Sequence, residues 1–304
     1  SNVLKGFAAA ATTGAWSSGT VMSTARQAGA ASTQGTITAS IVFCGNSYPP
    51  GTFIVANESY NGTAWSEEAD LSTGRYSLGS AGTPTAALGF AGYTPSRTNA
   101  NESWNGTSWT TVNSLNSGRA GPGSNGTQTS AICAGGYVPP TSAICETWDG
   151  TSWAEVGNLT TARYVMAAAG DASAALNFGG DTWPGAVRAE DKTEKWDGTS
   201  WTEVANLNSP RVGNNGSGVQ TAALCIGGGQ LGPPLGTAIA LTEYWDGTSW
   251  TEVADLATAR REGAAAGSSV GSLMMGNTSP GGTAPTTVVE EWTGGTAIKT
   301  FTSS

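Results

Sequence analysis

The stretch EKWDGTSWTEVANL, from Glu194 to Leu207, returns almost unchanged as EYWDGTSWTEVADL from Glu243 to Leu256. Looser versions, ETWDGTSWAEVGNL and ESWNGTSWTTVNSL, begin at Glu146 and Glu102. A catalytic site is normally written once per domain, so a phrase repeated at near-regular spacing constrains architecture before it speaks of chemistry. Six copies are present, with the first aromatic at Tyr60, Trp104, Trp148, Trp196, Trp245 and Trp292, spaced by 44, 44, 48, 49 and 47 residues. The second indole falls at Trp65, Trp109, Trp153, Trp201 and Trp250, with one more upstream at Trp16.

Other marks keep step with the phrase. An arginine follows each second tryptophan, at Arg26, Arg75, Arg119, Arg163, Arg211 and Arg260. A run of small residues comes next, then a short turn, then an apolar run ending in glycine, such as AALNFGG from Ala174 or AALCIGG from Ala222. Each unit therefore reads as four strands. Strand A follows the arginine, strand B is the apolar run, strand C carries Glu-x-Trp and strand D opens at the second tryptophan. Asp-Gly or Asn-Gly between C and D is a strong short hairpin signal, because glycine accepts a positive φ at little steric cost. Four antiparallel strands repeated every 40 to 50 residues predict an all-β, six-bladed β-propeller (about one unit per blade at this spacing). One domain is expected over residues 1–304, with residues 1–12 as an N-terminal extension. The repeats run roughly 16–65, 66–109, 110–153, 154–201, 202–250 and 251–302.

Glycine-rich chains can also be disordered, but 12 tryptophans at patterned positions offer a large apolar area to bury. The expected wedges between blades are Trp104, Trp109, Trp148, Trp153, Trp196, Trp201, Trp245 and Trp250. Six A-B-C sets meet seven candidate D strands, because Trp16 opens one and TAIKTFT from Thr296 offers another. The favoured closure pairs the chain termini, with the Trp16 strand completing the blade of Trp292; a seventh blade using residues 1–15 is the lesser alternative.

The order arginine, apolar run, Gly-Gly, loop, Glu-x-aromatic, turn, tryptophan resembles the kelch repeat. All six units carry it over roughly Trp16 to Thr302, with one departure: kelch units usually place more residues between the aromatic and the tryptophan. The insistent WDGTSW phrasing is further similar to kelch-like proteins of tailed bacteriophages, particularly marine ones. That resemblance implies a bacteriophage virion protein, in a tail fibre, spike or capsid surface, that touches other virion proteins or a host surface glycan and is a candidate homo-oligomer within the particle. A secreted or cell-surface lectin is the alternative reading, and a glycoside hydrolase the remoter one.

Composition narrows the chemistry. The chain has no histidine, which removes Ser-His-Asp and Cys-His catalysis and the commonest zinc and copper sites. No cofactor, no metal and no enzymatic activity are expected. A net charge of −9 disfavours nucleic acid, and no apolar stretch is long enough for membrane insertion. The opening residues SNVLKGFAAAATTGAW lack the apolar core of a signal peptide, so secretion by the usual route is unsupported. Cys44, Cys133, Cys145 and Cys225 form no C-x-x-C pair and read as small buried hydrophobes, although Cys133 and Cys145 flank one hairpin.

Two candidate sites remain. The six repeat arginines form either a positive ring at the channel mouth or structural pairs with Glu58, Glu102, Glu146, Glu194, Glu243 and Glu290. The B–C loops depart most from symmetry and carry proline and aromatic residues. Tyr48, Tyr93, Arg97, Tyr137, Trp183 and Arg188 are their candidate binding residues, since loops on a rigid scaffold are natural contact points. Asp149, Asp197 and Asp246 are replaced by Asn61 and Asn105 in other copies, which fits a turn role.

Overall fold

The computed structural model describes residues 14–47, 52–185, 188–230, 237–276 and 284–294. Among these, every regular element is a strand, and six four-stranded antiparallel sheets dominate. Blade 1 runs from its inner to its outer strand as Ala30–Ala31, Ser40–Phe43, Asn57–Tyr60 and Trp65–Glu68. Blades 2 to 5 repeat that order and end at Val112, Val156, Val204 and Val253, with a short hairpin of Gly229–Gln230 and Thr237–Ala238 set between the second and third strands of blade 5. Blade 6 takes Ala264–Ser268, Gly271–Met275 and Val289–Thr293, and its outer strand is Ala15–Ser18. The inner strands neighbour one another in order around a closed ring, blade 6 lying against blade 1.

Six strands crowding one axis explain the runs of Ala, Gly, Ser and Asn. A Cβ on Gly216, for example, would stand 2.3 Å from the Ala168 carbonyl of the neighbouring blade. The turn between strands A and B imposes a second demand. At Gly170 φ is +101°, and a side chain there would meet the Ala174 carbonyl at 2.1 Å.

The repeated phrase is the outer hairpin of each blade. Trp196 pairs with Trp201 across the turn, and the same register holds from Tyr60–Trp65 to Trp245–Trp250. The Asp197 Oδ1 accepts hydrogen bonds from the N–H groups of Thr199 and Ser200, both at 2.8 Å. The Asn105 Oδ1 accepts the same pair from Thr107 and Ser108, which is why Asn and Asp exchange freely here. Those main-chain donors hold the Asp197 carboxyl below its ordinary range. The first indole of each phrase turns inward: Trp196 donates to the Ala172 carbonyl at 3.1 Å and Trp245 to the Gln220 carbonyl at 2.9 Å.

Apolar burial is divided among the six junctions between blades. Phe43, Phe90 and Phe178 each pack on the second indole of the next blade, Trp109, Trp153 and Trp250, with ring centroids 4.8 Å apart. Cys133 faces the blade 2 junction and Cys145 the blade 4 junction, because Cys133 sits opposite Glu146 and Cys145 opposite Ala134. The two thiols therefore point to opposite sides of one sheet, and all four cysteines are free and buried. Burial pushes the Cys133 thiol up to about 12 and the Cys145 thiol to about 11, so both stay protonated at neutral pH.

Closure uses the upstream tryptophan. Trp16 sits opposite Trp292 in register, with ring centroids 5.5 Å apart. Its Nε1 donates to Thr242 Oγ1 of blade 5 at 3.1 Å, just as Trp250 donates to Thr193 Oγ1 of blade 4 at 3.0 Å. The strand Ala15–Ser18 thus stands where every other blade has a second-tryptophan strand. The alternative closing segment, 296–302, and residues 1–13 lie outside the described residues.

Candidate functional site

The six repeat arginines are buried to 0–1 % exposure and do not line the channel. Each reaches back into the blade that follows it and pairs with that blade's strand C glutamate. Arg163 meets Glu194 at 2.8 Å and Arg26 meets Glu58 at 2.5 Å. The Arg163 Nη1 also donates to the carbonyls of Gly179 and Lys192, at 3.0 and 2.6 Å. The second oxygen of Glu194 accepts the Thr160 N–H at 2.6 Å, so each pair pins the incoming connection to the top of its own sheet. Desolvation draws the Arg163 guanidinium below its ordinary value, against the pull of Glu194. A positive ring at the channel mouth is therefore not formed, because every guanidinium is turned inward and neutralised.

The residue after each arginine instead forms the surface. It makes an isolated β-bridge with the residue just past the Gly-Gly position, giving the pairs Gln27–Asn46, Tyr76–Tyr93, Ala120–Tyr137, Tyr164–Asp181 and Val212–Gly229. These pairs put the B–C loops and the D–A connections on one face. Among the described residues, aromatic side chains occupy these pairs only around blades 2 to 4. Phe53 stacks on Tyr76 at 5.9 Å with 8° between planes, and Tyr76 meets Tyr93 at 5.2 Å. Arg97 lies 4.4 Å over the Tyr137 ring, and Tyr137 meets Tyr164 at 5.2 Å. The Tyr164 hydroxyl donates to Asp181 Oδ2 at 3.3 Å, where Arg188 also binds at 2.5 Å. The result is a half-buried aromatic ridge across four blades, with Arg97 at its centre. Burial raises the Tyr76 and Tyr164 hydroxyl pKa values, so these rings are neutral phenols at physiological pH.

Of the loop residues anticipated from sequence, the fold brings together Tyr93, Arg97, Tyr137 and Arg188. Trp183 stands apart at 42 % exposure, joined through its main chain: its N–H donates to Asp181 Oδ1 and its carbonyl accepts from Thr141 Oγ1, both at 2.8 Å. Tyr48 lies outside the described residues. Sequence reasoning missed Phe53, Tyr76, Tyr164 and Asp181. The signal was present for two of them: after an invariant arginine the next position varies as Gln27, Tyr76, Ala120, Tyr164, Val212 and Arg261.

The axis carries a cavity of about 140 Å³ to which every blade contributes, among the lining residues Ala31, Ser80, Ser124, Ala168, Gly216 and Ala265. Its mouth is drawn by main chain. Ala28, Ser77, Gly121, Val165, Gly213 and Glu262 all have φ between 46° and 62°. Each N–H donates to the carbonyl of its counterpart in the preceding blade, at 2.6 to 2.9 Å, and Ala28 closes the circle on Glu262. Among the described residues no group of three or more metal-ligating side chains is gathered, and no helix is long and apolar enough to cross a membrane.

Six radial four-stranded sheets about an axial cavity define a six-bladed β-propeller, here with one aromatic face. No family model matches the chain, and no curated protein matches it. The fold is nonetheless shared with solved structures. The chain is similar to the structure of YjhT, with a TM-score of 0.73 and 15 % identity, covering 88 % of this chain and 95 % of that one. At that identity the likeness concerns the architecture alone.

Proposed function

We propose that this chain is a non-enzymatic, kelch-type binding module that holds a glycan on the aromatic ridge. The observation that carries this reading is the run from Phe53 through Tyr76, Tyr93 and Arg97 to Tyr137 and Tyr164, confined to one part of one face. A symmetric scaffold needs no aromatic residue at those bridge positions, as Gln27–Asn46 and Val212–Gly229 show. Half-buried rings held by their neighbours give flat apolar faces with a polar edge, suited to stacking on sugar rings at low entropic cost. Tyr93→Ala and Tyr137→Ala should each weaken binding to glycans captured on an array by roughly tenfold, about 1.4 kcal/mol per decade. Unchanged capture by both variants would remove the ridge from the binding face.

The repeated WDGTSW phrasing and the small-residue composition support a place on a bacteriophage particle, at a tail fibre, spike or capsid surface, against other virion proteins. Several loops presented in parallel on a stiff disc suit multivalent attachment. Mass spectrometry of purified particles should then detect the chain. Finding it only on or outside a bacterial cell would favour the lectin reading, which uses the same ridge.

A further inference from the structure

Arg97 differs from the other guanidiniums of the repeat and ridge described above. The six repeat arginines are spent on buried glutamates, and Arg188 on Asp181. The Arg97 side chain makes no hydrogen bond or ion pair among the described residues; it lies over Tyr137, and its Nε is buried without a partner. In a chain of net charge −9, a half-buried arginine held on a ring and lacking an acid is an unused anion site. It stands between two aromatic groups, Phe53–Tyr76–Tyr93 on one side and Tyr137–Tyr164 on the other. The ridge carboxylate at Asp181 is already matched by Arg188, so it does not compete for Arg97. The chain's overall negative charge matters little at that spot, because charges beyond about 8 Å are screened at physiological ionic strength.

We propose that the ridge selects a carboxylate-bearing saccharide, the Arg97 guanidinium binding the carboxylate while the flanking tyrosines stack on adjoining sugar rings. This rests on the glycan reading above and adds its chemical class. The guanidinium carbon lies 4.4 Å over the Tyr137 ring and Nε is buried, so the two terminal nitrogens are the ones that would offer parallel N–H donors to one carboxylate. A neutral sugar would leave that fork unmatched.

The test is titration by intrinsic fluorescence with oligogalacturonate and with its methyl ester, which differ in the carboxylate charge and share the ring chemistry. The native chain should bind the acid form at least about tenfold more tightly at physiological ionic strength, a gap that narrows as sodium chloride is raised toward molar concentration. Arg97→Gln should abolish the gap while keeping the methyl-ester affinity, and Arg97→Lys should retain part of it. Near-ultraviolet dichroism identical to the native chain establishes that the variants are folded. Equal affinity for both forms, or an Arg97→Gln variant that keeps the preference, overturns the carboxylate assignment and leaves the glycan reading standing. Binding of neither oligomer overturns the assignment too, and if arrayed glycans also fail, the glycan reading falls with it.

Discussion

Glu146→Ala lowers the free energy of unfolding by about 3–5 kcal/mol, the usual cost of stranding one member of a buried ion pair. The Arg119 guanidinium is fully buried and donates to the Gly135 and Ile144 carbonyls as well as to Glu146. The other Glu146 oxygen accepts from the Asn116 N–H and side-chain amide, at 2.8 and 2.9 Å. Alanine would leave a buried cation without its counter-charge and the Asn116 main-chain donor without its acceptor. The double variant Arg119→Met/Glu146→Leu should lose less than Glu146→Ala alone, since no uncompensated charge remains. The Arg75–Glu102 pair is looser, at 3.2 Å with the Arg75 Nε and Nη1 unpartnered, so Glu102→Ala should cost less than Glu146→Ala. Chemical denaturation of the four proteins, with exposed Glu155→Ala as a control, decides the matter. A Glu146→Ala midpoint equal to that control would mean the pair carries no stability.

Removing residues 1–19 should have an effect at least as large. The strand Val289–Thr293 would become a free edge, and Trp292, now fully buried, would face water. Loss of the part-buried Trp16 ring alone corresponds to about 1.5–3 kcal/mol, and exposure of Trp292 adds to it. The exposed edge would then recruit other chains, visible as concentration-dependent oligomers on size-exclusion chromatography. A peptide spanning Gly14–Thr20, added in excess, should restore the monomer by refilling the same register. A truncated chain that stays monomeric with an unchanged unfolding midpoint would show that closure contributes nothing.

Architecture was largely legible in the sequence because it is written six times. The Trp-Asp-Gly hairpin, the small-residue inner strand and the apolar strand ending in glycine each state a local constraint that backbone geometry then satisfies. Even the closing strand could be found, since Trp16 continues the spacing of the second indoles. The arginine was less legible. Its recurrence in step with a glutamate already favours a buried pair over a channel ring, and the fold shows how: its connection turns it into its own blade, where Glu194 or Glu146 waits about thirty residues on. The ridge was partly legible. Tyr93, Tyr137 and Arg97 stand out in irregular loops, whereas Tyr76 and Tyr164 hide inside the repeat next to its most constant residue. Their partners come from loops 17 residues away in sequence, a pairing that no local pattern announces.

The circle of amides at the channel mouth has its own consequence. Six N–H groups pass their hydrogen bonds head to tail around the axis, so the cycle has no first donor and no last acceptor. Such a loop, with each link polarising the next, is held by the peptide backbone, firmly enough to keep even Val165 in the left-handed region. Alanine, serine, valine, glutamate and two glycines already share the six places. The rim is thus a six-position socket already carrying four kinds of side chain, while at Gly121 the closeness of Val165 keeps the place bare and the girdle beneath stays shut.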